Sequence, residues 1–155
     1  VASWGAFARA HPSFGALALA RIDGEGLVMV GTLRRNGWPR ISPVEPLVLD
    51  GELYLGMMHR SRKAVDLLRD SRCVVHSIVH DKGGAEGDVK VYGRAVTVEG
   101  PAERERYCRA LEARIGWRPE GEFHLFTVDI TEVGYFAVAE GNHHTQAWKA
   151  PVGPP

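Results

Sequence analysis

Residues 27–70 read LVMVGTLRRNGWPRISPVEPLVLDGELYLGMMHRSRKAVDLLRD, and this stretch decides the fold. The apolar run Leu27–Leu33 and the run beginning at Pro39 flank Asn36-Gly37, while Pro43–Leu49 and Glu52–Met58 flank Asp50-Gly51. Either dipeptide can hold both central residues at positive φ, as a two-residue type I′ hairpin requires. The pattern therefore predicts an antiparallel meander over 27–35, 39–49 and 52–58. Ser61-Arg62-Lys63 then opens a short helix to Arg69, with Ser61 as the expected N-cap and Ala64, Val65, Leu67 and Leu68 as the apolar face. A hydroxyl, a guanidinium and an ammonium beside free first-turn N–H groups are what a phosphate needs.

Outward from this stretch the periodicities continue. Residues 1–22 place Trp4, Phe7, Phe14, Leu17 and Leu19 around a break at Pro12, which predicts one or two short helices over the end of a barrel. Cys73–Val79 reads as a strand, 80–87 as a polar glycine-rich loop, and 88–99 as a strand with Val89, Val91, Gly93, Ala95 and Thr97 on one face. Gly93 marks a bulge or a close backbone approach. Pro101 opens a helix where a missing N–H costs least, Tyr107, Ala110, Leu111, Arg114 and Ile115 form its stripe, and Gly116 stops it. Strands follow at 123–130, 134–139 and 144–149, with a mobile tail at 151–155. The reading is α+β, mainly β with short helices: a six- to seven-stranded antiparallel split β-barrel forming one domain over 1–150.

Composition bounds the function. The chain has 155 residues, 45% of them apolar, enough for one substantial core, and its 19 Lys+Arg balance 19 Asp+Glu. No basic tract points to nucleic acid, no apolar run is long enough to span a bilayer, and Val1 opens no signal-peptide arrangement. The two cysteines, Cys73 and Cys108, lack metal-ligand spacing and read as buried thiols of a cytoplasmic protein.

The order of these motifs resembles the pyridoxamine 5′-phosphate oxidase-like, FMN-binding split β-barrel superfamily. The resemblance covers about residues 27–139. Its marks are Gly37, Pro39, Ser42, Pro43 and Val44, then Ser61 to Asp70, then the G-R-A strand at Gly93. It implies a homodimer with cofactor grooves between the subunits and a small-molecule substrate. It also implies that His59, Arg60, Ser61, Arg62 and Lys63 surround the FMN phosphate, and that Arg40, Ile41, Ser42, Pro43, Val44, Met57 and Met58 lie along the ring. Of Met57 and Met58, adjacent on a strand, one faces the core and the other the groove. The chain ends in Gln146–Pro151 without the longer basic segment of members that oxidise pyridoxamine phosphate, so vitamin B6 oxidation is not the expected activity.

The expected function is FMN-dependent redox chemistry on a small molecule, with no side chain assigned as acid or base. The alternatives are a reductase using the deazaflavin coenzyme F-420, a flavin or haem carrier without turnover, and a cofactor-free dimeric scaffold. Haem would make His143 or His144 a candidate axial ligand. No metal site is expected, since adjacent histidines on a strand point to opposite faces. Glu45 is the one acidic residue near the proposed groove, and Trp148 is assigned to the subunit interface.

Overall fold

The structure, a computed structural model, describes residues 1–152. Two helices come first, α1 (Trp4–Ala10) and α2 (Pro12–Asp23), then four strands: β1 (Val28–Leu33), β2 (Pro39–Val44), β3 (Pro46–Leu49) and β4 (Glu52–Met58). There follow α3 (Arg62–Arg69), β5 (Arg72–Ser77), β6 (Asp88–Thr97), α4 (Pro101–Ile115), β7 (Phe123–Ala139) and β8 (Asn142–Lys149). Every strand pairing is antiparallel, in the order β2-β1-β5-β6-β7-β4-β3, with β8 added against β7. Pro151 and Val152 carry no regular structure, and the rest of the tail expected at 151–155 lies outside the described residues.

The run 39–49, expected as one strand, is two. β2 ends at Val44 and pairs with β1, whereas β3 begins at Pro46 and pairs with β4. Pro43 and Pro46 bracket Glu45, and neither proline has an N–H to donate to a ladder, so the strand breaks there. β2 and β3 are consequently the two ends of the sheet path, although only Glu45 separates them in the chain. These two edge strands are joined through Glu45 but do not pair, which leaves an open, split barrel.

The two turns resolve differently. Asp50 and Gly51 lie at φ 52° and 80°, the two-residue hairpin that the dipeptide predicts. At Asn36-Gly37 only Gly37 is left-handed, at φ 83°. Its N–H donates to the Arg34 carbonyl at 2.8 Å, and the Arg34 N–H donates to Trp38 at 2.9 Å. This is a three-residue loop with a bulge at glycine, tied further by the Asn36 side chain, whose Oδ1 accepts the Trp38 N–H.

At the far side of the sheet, 123–130 and 134–139 merge into the single strand β7. One extra residue, Thr131, bulges opposite the Tyr92/Gly93 step and gives β7 the bend that lets it serve β4, β6 and β8 in turn. Gly93 is the close approach that its position in the strand suggests. A Cβ built there would lie 2.3 Å from the Asp129 carbonyl oxygen, a backbone atom that cannot swing aside. Gly93→Ala is therefore expected to lower stability by about 1–3 kcal/mol, seen as a reduced urea midpoint. An unchanged midpoint would show that the β6–β7 step is not this tight.

The core has two parts. Inside the barrel, Phe7, Ile22, Val28, Val30, Leu53, Leu55, Val75, Val91, Phe126 and Ile130 are fully or almost fully buried. Below α4, Leu47, Tyr54, Tyr107, Cys108, Leu111 and Leu125 form a second cluster. β4 sends Leu53 and Leu55 to the first and Tyr54 to the second, so it reads as continuous apolar sequence rather than alternation. Burial pushes the Cys73 thiol up to about 12, which makes it an unreactive core group. Trp148, expected at a subunit interface, is 7% exposed within the chain itself. It packs in its own core, with its ring centroid 5.4 Å from that of Phe7.

Candidate functional site

A cavity of about 410 Å³ opens between β4, the start of β3's preceding link, α4 and the loop after α4. Pro43, Val44, Met57, Met58, His59 and Lys63 line it, six of the twelve residues expected around the cofactor. Met57 is 4% exposed and belongs to the core, whereas Met58 is 76% exposed at the cavity mouth, the division that adjacent strand residues must make. Glu45 lies on the rim.

Ser61, Arg62 and Lys63 stand where β4 turns into α3. The turn is closed by the Ser61 N–H, which donates to the Met58 carbonyl at 3.0 Å, and it holds Arg60 in the left-handed region at φ 53°. A residue with a side chain is uncommon there, so the turn needs outside support. Arg60 has it: its N–H donates to His124 Nε2 on β7 at 3.2 Å. The expected cap is not formed. The Ser61 hydroxyl bonds to no first-turn N–H; its oxygen is buried and has no hydrogen-bond partner among the described residues. Arg60, Arg62 and Lys63 are likewise free of carboxylate partners among the described residues, since the nearby ion pairs belong to His59, Arg40 and Arg69. Unmet donors and positive charge thus collect at one helix N-terminus, the ordinary setting for an anion.

Arg40, Ile41 and Ser42 do not line the cavity. Arg40 Nε donates to Asp66 Oδ2 at 2.7 Å, across from β2 to α3. Asp66 is 4% exposed and also accepts from Thr32 Oγ1 at 2.9 Å and from Arg69. Burial would raise its carboxyl, but the bonds from Arg40 and Thr32 and the charge of Arg40 outweigh that and hold it below the usual carboxylate range. Arg40 therefore fastens the edge strand to α3. Ile41 is 68% exposed on the outer face of β2, and Ser42 is half-buried behind it.

Residues outside the expected set complete the cavity: Gly56, Tyr107, Leu111, Trp117, Glu120, Glu122 and Phe123. Tyr107, expected on the apolar stripe of α4, is 2% exposed, and its hydroxyl lies against Gly56 of β4. Burial, then the neighbouring Cys108 and Glu45, push it up to about 12, so it stays a neutral donor. Gly56 was the available signal. A glycine inside a strand announces a close approach, and a Cβ at 56 would lie 2.3 Å from the Tyr107 hydroxyl.

His59 Nε2 lies 3.3 Å from Glu122, and the His59 ring stacks on His124 at 5.3 Å and 11°. His143 and His144 sit on β8, exposed, with His143 tilted against Phe136. Among the described residues one His/carboxylate group has metal-ligating spacing, Glu25, His80 and Glu86. Glu86 is already bonded to Arg21 and to the N–H groups of His80 and Asp81, which makes that group a loop anchor.

No curated protein matches the chain. Solved structures do. PhzG from Burkholderia lata 383, in complex with tetrahydrophenazine-1-carboxylic acid, superposes with a TM-score of 0.69 at 13% identity, over 95% of this chain and 87% of that one. A protein related to general stress protein 26, of the pyridoxinephosphate oxidase family, from Clostridium acetobutylicum gives 0.61 at 17%, over 89% and 92%. A haem-binding protein from Mycobacterium smegmatis gives 0.63 at 20%, over 84% of this chain but only 57% of its own length. These likenesses share the fold. No helix among the described residues is long and apolar enough to cross a membrane. The profile described as pyridoxamine 5′-phosphate oxidase matches residues 16–137, from within α2 to near the end of β7, and the chain therefore belongs to that family.

Proposed function

We propose that this protein binds FMN, with the phosphate at the N-terminus of α3 and the ring in the cavity, and serves as an oxidoreductase for a small molecule. The observation that carries this reading is the buried Ser61 hydroxyl without a partner, beside Lys63 at an uncapped helix start. A buried hydroxyl left unpaired costs about 1–3 kcal/mol, and a phosphate oxygen would satisfy it. Lys63 would add a charge-assisted bond while standing on the cavity wall, and the first-turn N–H groups would complete the cradle. Pro43, Val44 and Met58 supply the apolar wall that a flat ring needs, and Tyr107 a neutral donor for a substrate oxygen or nitrogen. A bound flavin supplies hydride transfer, while the chain anchors, orients and excludes water.

A deazaflavin coenzyme carries a phosphate on a similar arm, so the same cradle suits it. Haem binding without turnover is the second reading, in keeping with the haem-binding and haem-storage relatives of the same fold. The protein titrated with FMN, deazaflavin coenzyme and haemin, followed by visible absorption, separates them. A saturable flavin spectrum with one cofactor per subunit is the expected result. A Soret band alone would transfer the case to haem and to His59, His143 and His144.

A second copy of the chain is proposed for the outer sheet face. There Ile41, Gly31, Val74 and Tyr92 lie side by side across β2, β1, β5 and β6. Ile41 and Tyr92 are 68% and 41% exposed, an apolar row in need of cover. Ile41→Lys is expected to convert a dimer to a monomer in analytical ultracentrifugation. A monomeric wild type would end this part of the proposal.

A further inference from the structure

We propose that His124 is a positioning residue for the α3 anion site and works only as a neutral imidazole. The inference rests on the FMN reading above and concerns the regulation of that same site. Ser61 and Lys63 can meet a phosphate only if the β4–α3 turn keeps its shape, and that turn contains Arg60 at φ 53°. Two hydrogen bonds hold it. One is internal, from the Ser61 N–H to the Met58 carbonyl, and the other runs from the Arg60 N–H to His124 Nε2 on β7. Because Nε2 accepts, its proton is absent, and the ring is neutral with the hydrogen on Nδ1.

A protonated His124 has no lone pair left and cannot accept the Arg60 N–H. The ring cannot easily turn away, since it stacks nearly parallel with His59 at 5.3 Å and with Phe126 at 6.2 Å. The charged groups that face it are His59 and Arg60 on the turn, Arg104 from α4 and Glu122 before β7. Burial, then His59 and Arg104, disfavour the imidazolium, and only Glu122 favours it, so His124 titrates below the ordinary histidine range. Acidification through that range breaks the Arg60 bond, frees the left-handed residue, and lets the turn that carries Ser61 relax.

The sign of the effect is diagnostic. If His124 acted only through charge, protonation would add a cation near the phosphate and tighten binding. As a positioning residue it loosens binding instead. FMN affinity is to be measured between pH 5 and 8 in wild type, His124→Gln and His124→Phe, with riboflavin as the phosphate-free control. The phosphate's own second ionisation near pH 6 affects all three alike and cancels in the comparison. His124→Gln keeps an uncharged acceptor, so its affinity is expected to match wild type at pH 8 and to exceed it once acidification protonates His124. His124→Phe keeps the stack and loses the acceptor, so FMN binding is expected to weaken about three- to tenfold at pH 8, with riboflavin unmoved.

The second readout needs no cofactor. The Arg60 amide is expected to be protected from hydrogen exchange at pH 8 and to lose that protection as His124 protonates, or at any pH in His124→Phe. Wild-type FMN binding with parallel pH profiles in all three proteins, or an Arg60 amide that exchanges equally in all of them, would overturn the role of His124 and leave the FMN reading standing. Protection of Arg60 by neutral His124 in a protein that binds no FMN would sink the FMN reading and, with it, this regulation.

Discussion

Lys63→Ala is expected to weaken FMN binding about 10- to 100-fold, with the fold intact. The estimate follows from one charge-assisted hydrogen bond of about 1.5–3 kcal/mol. Lys63 has no carboxylate partner that its loss would orphan, and it borders the cavity without belonging to the core. Ser61→Ala is expected to act in the same direction and more weakly. It should also stabilise the cofactor-free protein slightly, because it removes a buried oxygen that has no partner. This opposition, weaker binding with a higher melting temperature for the free protein, separates a ligand-directed hydroxyl from a structural one. Equal FMN affinity in wild type and Lys63→Ala, by fluorescence quenching, would remove Lys63 from the site.

The second large effect is on stability. Asp66→Ala is expected to cost about 3–5 kcal/mol, since it strands Arg40 in a half-buried position and leaves Thr32 without its acceptor. Asp66→Asn should cost less, because the amide oxygen can still accept. The pH dependence has a definite sign. The folded-state pKa of Asp66 lies below its unfolded value of about 3.9, so its contribution is full above that value and is lost as pH falls through the folded pKa. The stability gap between wild type and Asp66→Asn should therefore narrow on acidification, read from urea midpoints. A gap that is constant from neutral to acidic pH would mean that the Asp66 carboxylate is not held by charge. Asp66 also joins the edge strand to α3, the helix of the proposed anion site, so its loss should carry over to FMN affinity.

How far the sequence disclosed these features depended on whether they were local. Gly51 and Gly116 sit at positive φ where their turn and helix stop required it, and Pro101 opens α4 as proline does. The β2/β3 break was harder to foresee: a run of apolar and β-branched residues spans it, and the two prolines mark it only once both are read as missing donors. The proposed anion site draws on Ser61-Arg62-Lys63, which is contiguous in the sequence. Its supports are not. Asp66, buried on α3, and Arg40, on β2, become partners only when the sheet brings them together across 26 positions of chain. His124 reaches Arg60 over 64 positions, and no periodicity announces such a bond. Tyr107 matched the helical stripe as well as a leucine would, and only its hydroxyl, opposite Gly56, set it apart. The packing of Trp148 against Phe7, beside Trp4 and Phe14, joins opposite ends of the chain and has no local signal in the sequence.

The most direct test of the account is the affinity of the wild-type protein for FMN against riboflavin, by titration calorimetry at neutral pH. The two share the ring and differ in the phosphate alone. The arrangement at α3 predicts that FMN binds at one per subunit and at least about tenfold more tightly than riboflavin. Equal affinities would contradict a phosphate held by Ser61 and Lys63.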